Sequence, residues 1–132
     1  MRTLNRDDLL NILYGAAILG TGGGGSLDEG IAMIDEALQA GKEFKLADFA
    51  EMDPDAVIGT PYACGAISPL TEEEVKKYAR LKETDESFYI LCMKQLEQFL
   101  GKEVSAVIST ELGGGNTATA FYVGAMTGRP IV

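Results

Sequence analysis

Val104-Ser105-Ala106-Val107-Ile108-Ser109-Thr110-Glu111-Leu112-Gly113-Gly114-Gly115-Asn116 runs from a β-branched stretch through an acidic turn into a glycine triplet. Residues 104–109 predict the strongest strand of the chain, because β-branched side chains fit a pleated, buried surface. Residues 110–116 read as a loop. Residues 117–127 then predict a helix, with Phe121, Tyr122, Ala125 and Met126 apolar and Gly128 as its stop. Arg129-Pro130-Ile131-Val132 opens another strand. This alternation predicts an α/β fold: a mixed or mostly parallel sheet with helices packed on it and glycine-rich loops at helix N-termini.

Upstream, Asn5 is a good N-cap, Asp7 and Asp8 suit the positive end of the helix dipole, and Leu4 and Leu9 occupy hydrophobic-staple positions. Leu9, Leu10, Ile12, Leu13, Ala16 and Ala17 continue at helical spacing up to the run Gly22-Gly23-Gly24-Gly25. Ser26-Leu27-Asp28-Glu29 reads as a capping box for a second helix with Ile31, Ile34, Ala37 and Leu38 inward. Residues 42–46 and 56–60 predict short strands. Thr71-Glu72-Glu73-Glu74 starts a polar, solvated helix. A longer helix over 86–100 carries Phe88, Leu91, Cys92, Gln95, Leu96 and Phe99 on or near one face, which predicts Cys92 as a small core residue.

The 132 residues suit one domain, and 46% hydrophobic with 23% charged residues is ordinary globular usage. A net charge of -9, with 11 scattered Lys and Arg, argues against nucleic acid as a partner. No apolar run approaches the roughly 20 residues of a membrane span, and the start has no signal-peptide core. The expected location is therefore the cytoplasm, with no membrane partner and with Cys64 and Cys92 as free thiols. The chain contains no histidine. That removes His-based triads and His-ligated zinc, leaving carboxylates, lysine, tyrosine, hydroxyls, a thiol and backbone amides for chemistry.

Gly20-Thr21-Gly22-Gly23-Gly24-Gly25 formally matches the dinucleotide fingerprint G-x-G-x-x-G, with Asp48 as a candidate ribose ligand. The segment before it reads as a helix rather than the required strand, and Asp28 and Glu29 would repel a pyrophosphate. The second loop leaves a strand end and enters a helix, where open α/β sheets bind ligands. Its glycines admit close backbone approach, Glu111 has the chemistry of a general base, acid or metal ligand, and Asn116 can donate to a carbonyl. The same residues also fit a glycine-rich turn, a surface glutamate and an Asn helix cap. Residue types alone do not choose between the two.

Together and in this order, Gly15-Ala16-Ala17-Ile18-Leu19-Gly20-Thr21-Gly22-Gly23-Gly24-Gly25 and Glu111-Leu112-Gly113-Gly114-Gly115-Asn116 resemble the N-terminal domain of the S-methyl thiohydantoin desulfurase-like family, often labelled hydantoinase-associated. Residues 58–66 and Gly128-Arg129-Pro130-Ile131-Val132 also fit that pattern. The resemblance implies an α/β domain joined to a second domain, in a hydrolase acting on hydantoin-type rings. Carried onto this chain, the resemblance puts the two glycine loops, Glu111 and Asn116 in the site region. From residue chemistry, Thr21, Gly22, Gly23, Gly24, Gly113, Gly114, Gly115 and Asn116 are the expected substrate contacts and Glu111 the expected catalytic carboxylate. A divalent metal is compatible with that chemistry, without histidine ligands from this chain. Residues 1–132 are expected to form one domain, the N-terminal part of a longer protein, with that second domain or a second copy as partner. The other expectation is a binding or assembly domain without chemistry, with the Gly20-Gly25 loop as a nucleotide site. Cys64, after a buried strand, is either a nucleophile or a structural thiol.

Overall fold

The computed structural model describes residues 1–65, 68–79 and 85–132, so Ala66, at the end of one family-like stretch, lies outside them. The first helix, α1 (Arg6–Leu19), begins as the capping residues dictate. The Asn5 side chain accepts from the Asp8 N–H at 2.9 Å, and the Asp8 carboxylate accepts from the Asn5 N–H at 3.1 Å. Leu4 and Leu9, the staple pair, are both buried. The second helix, α2 (Leu27–Gln39), is capped by Ser26, whose hydroxyl accepts from the Glu29 N–H at 3.3 Å. The short helix α3 (Glu72–Tyr78) carries a complete Thr71–Glu74 capping box and is exposed along its whole length.

The strands are β1 (Arg2–Leu4), β2 (Phe44–Leu46), β3 (Ile58–Gly59) and β4 (Ala106–Val107). β1 pairs antiparallel with β2, and β3 pairs parallel with β4. Ile131 joins the two ladders, bridging Leu46 on one side and Val107 on the other, both in parallel sense. The sheet is therefore mixed, with β1 as its antiparallel edge. Helix α5 (Gly114–Thr127) makes the crossover from β4 to the strand position at Ile131.

The strands are shorter than residues 104–109 and 56–60 suggested, and at the start of the first stretch the reason is that side chains take the backbone groups of Val104. Val104 donates its N–H to Glu97 Oε1 at 2.7 Å and gives its carbonyl to Arg129 Nε at 2.5 Å, while Arg129 also pairs with Glu97 at 2.6 Å. Those groups cannot also serve a sheet ladder.

The core gathers Leu9, Leu13, Ile34, Phe44, Val104, Val107, Val123 and Ile131 around α5. Buried almost all the way round, α5 is the central element of the domain, as a helix without a polar face must be. It packs against α2 through small residues, and a Cβ added at Gly30 would lie 2.2 Å from the Gly114 carbonyl oxygen.

Helix α4 (Phe88–Leu100) departs from the sequence reading. Its inward residues are Ile90 and Met93, whereas the stripe of Phe88, Cys92, Leu96 and Phe99 faces outward. Cys92 is exposed rather than a core thiol, and Phe99 is 87% exposed. The helix is apolar over more than one face, so periodicity could not say which face turns inward. Both cysteines are free, as expected. Among the described residues no helix is long and apolar enough to cross a membrane.

Candidate functional site

Strands β3 and β4 run parallel, so the loops that leave their carboxyl ends lie side by side. Thr60 directly follows β3, Thr110 lies shortly beyond β4, and their hydroxyls share a hydrogen bond of 2.7 Å. Ser109 reaches the Thr117 hydroxyl of α5 at 3.3 Å. The first of these bonds ties the two strand ends to each other, and the second ties them to the amino-terminal turns of α5.

Asn116 is the main fastener. It is 8% exposed, and its side chain holds the backbone of Ala63 at two points. Its Oδ1 accepts from the Ala63 N–H at 3.0 Å, and its Nδ2 donates to the Ala63 carbonyl at 3.2 Å. Its own backbone N–H donates to the Gly24 carbonyl at 2.8 Å. One residue therefore ties together α5, the first glycine loop and the loop after β3. Asn116 is not the helix cap considered from the sequence, because α5 starts earlier and Gly113 holds the cap position without a side chain. Its amide is engaged with Ala63, so it acts here as a positioning residue. Beside Ala63, the thiol of Cys64 is exposed.

The two glycine loops pack on each other, backbone against backbone. A Cβ on Gly24, where φ is +75°, would fall 2.1 Å from the Leu112 carbonyl oxygen, and one on Gly113 would fall 2.3 Å from the Gly24 Cα. Gly115 lies against Gly25, and Gly114 against Leu27. Much of the glycine content of both loops is thereby explained by mutual contact. Thr21, Gly22 and Gly23 form the outer turn of the first loop, with Thr21 in the left-handed region at φ 50° and open space around the Cα of Gly22. The segment before this loop is α1, so the strand a dinucleotide fingerprint requires is not there.

Unpaired donors remain at the second loop, on the buried Gly114 and the partly buried Gly115. As the first residues of α5, Gly114 and Gly115 have no intrahelical acceptor, and their N–H groups donate to no other group among the described residues. Unpaired N–H groups at a helix N-terminus favour negative charge. Glu111 lies next to Thr110, exposed, and makes no hydrogen bond or ion pair among the described residues. Among those residues no group of three or more His, Cys, Asp or Glu side chains could hold a metal ion.

The sequence reading selected Glu111, Asn116 and the glycines, and the fold brings both loops together through the Asn116–Gly24 bond. It missed Thr60, Thr110 and the Ala63 clamp. The available signal was a threonine soon after each of two predicted strands, which parallel pairing sets side by side.

The chain matches the family model described as "S-Me-THD-like, N-terminal domain" over residues 7–132. No curated protein and no solved structure matches it.

Proposed function

Because the chain belongs to the S-Me-THD-like family, as its N-terminal domain, we propose that it forms part of a hydrolase site for hydantoin- and thiohydantoin-type cyclic amides. The observation that carries this reading is the Asn116 clamp, which holds the loop after β3 against the amino-terminal turn of α5. A planar ring with a polarised carbon seats between these loops. Glu111 takes a proton from a water molecule, whose oxygen attacks that carbon. The charge of the tetrahedral intermediate falls to the free N–H groups of Gly114 and Gly115. The intermediate then collapses with loss of the ring nitrogen, or of a thiol from a thioimidate, and protonated Glu111 returns its proton to the leaving atom. Thr21, Gly22 and Gly23 border the same region from the outer turn of the first loop.

The uncovered apolar side chains support a partner over this region. Ile18 is 76% and Leu19 69% exposed at the end of α1, and Leu112 is also exposed beside the glycine loops. A second domain or a second copy of the chain would cover them. The same surface favours a second reading, an assembly domain without chemistry. A soluble small-molecule hydrolase of this kind would work in the cytoplasm.

The test is thermal unfolding with hydantoin and an S-methyl thiohydantoin. A ligand at about 100 times its dissociation constant stabilises the fold by about 2.7 kcal/mol, or about 10 °C in midpoint. The domain is expected to be incomplete alone, so turnover is measured on the full-length protein, where it should be lost in Glu111→Gln with the fold intact. A full-length protein that neither binds nor turns over any of these rings would refute the reading and leave the assembly domain.

A further inference from the structure

A cavity of about 190 Å³ lies between the end of β3 and the outward face of α4. Pro61 and Tyr62 form one wall, and Phe88, Tyr89, Cys92 and Leu96 form the other. In a chain of net charge -9, no Asp, Glu, Lys or Arg lines it among the described residues. An apolar cavity of about 150 Å³ suffices for a benzene-sized guest. Aromatic and sulfur-bearing walls favour a polarizable guest over a charged one.

The cavity adjoins the loops discussed above. Thr60 stands in its lining and bonds Thr110, the residue before Glu111. Tyr62, also in the lining, precedes Ala63, which Asn116 holds. A ring seated at those loops would neighbour this cavity through Thr60 and Tyr62.

We infer that the cavity between β3 and α4 receives an apolar side chain of phenyl or branched-alkyl size carried on the ring, and so selects rings bearing such a group. The outward stripe of α4, left over from core packing, is then a specificity surface. This inference rests on the cyclic-amide reading.

The test compares binding of hydantoin, 5-benzylhydantoin and 5-carboxymethylhydantoin to the full chain by calorimetry. In a Cys64→Ser background Cys92 is the sole remaining thiol, and its alkylation by iodoacetamide reports occupancy of the cavity. The benzyl compound should bind about tenfold or more tighter than the other two, as expected when an apolar group fills a matching pocket, and should slow Cys92 alkylation. Leu96→Glu, at an exposed position that leaves the core untouched, should abolish that preference without changing hydantoin affinity. Equal affinities for all three rings with Cys92 unprotected would overturn the inference while the ring reading stood. If no ring binds, the ring reading fails and this inference falls with it. If Cys92 is protected in proportion to self-association by light scattering, a second copy covers the cavity, and the inference is likewise overturned.

Discussion

Gly15 and Gly30 both sit inside helices, yet replacing each with alanine should move stability in opposite directions. The intrinsic helix term is the same at both, about 1 kcal/mol in favour of alanine. At Gly15, in α1, an added Cβ meets nothing within 4 Å, so the term is expressed in full. At Gly30, in α2, the Cβ would lie 2.2 Å from the Gly114 carbonyl oxygen and 3.0 Å from the Ala118 Cβ. The nearest obstacle is backbone and cannot rotate away, so α2 and α5 must part by about an ångström. Overpacking of that kind costs about 1–3 kcal/mol, which exceeds the helical gain over most of its range. The helical term cancels between them, so the two variants should differ by the overpacking cost alone, about 1–3 kcal/mol or about 4–11 °C in midpoint, for an identical chemical change. Thermal and urea unfolding followed by far-UV circular dichroism measures both. Since Gly114 opens α5, Gly30→Ala should also weaken ring binding, whereas Gly15→Ala should leave it alone. A Gly30→Ala protein as stable as Gly15→Ala would refute the close α2–α5 packing and the account of the glycines built on it.

Asn116→Ala removes both bonds to Ala63 and should cost about 1–3 kcal/mol, with faster amide hydrogen exchange at Ala63; unchanged exchange would show that the clamp does not hold the loop. Tyr122 donates to Glu36 Oε1 at 2.8 Å across α5 and α2, so Tyr122→Phe should cost about 1 kcal/mol in urea unfolding. Burial first, and then the bond to Glu36, raise the Tyr122 pKa above its ordinary value of 10.0. Its contribution is thus complete below pH 10.0 and lost as pH rises through the folded value, a dependence that Tyr122→Phe should remove. Asp35 behaves oppositely, because its hydrogen bond from Arg6 lowers its pKa below 3.8. The stability it supplies is present above pH 3.8 and disappears as pH falls through the lowered value, so Asp35→Asn should flatten acid unfolding in that window. An acid transition identical to wild type would show the pair contributes nothing measurable.

Local signals read correctly where a side chain acts on its own neighbours. Asn5 and Ser26 cap the helices they precede, and Gly101 and Gly128 end theirs in the left-handed conformation. The alternation of strand and helix through residues 104–132 determined the α/β class, because a parallel crossover needs a helix between its strands. Tertiary structure decided the rest. Whether Phe88, Cys92 and Leu96 face the core or a cavity depends on which side of α4 meets its neighbours, and a helix apolar over more than one face carries no local mark of that. The glycine triplet at 113–115 reads locally as freedom for a ligand, but its occupant includes another stretch of the same backbone far away in sequence. The clamp from Asn116 to Ala63 spans 53 positions and exists only once the sheet sets two loops side by side. Hydrogen-bonding capacity is fixed by residue type, but the partner that uses it is chosen by the fold.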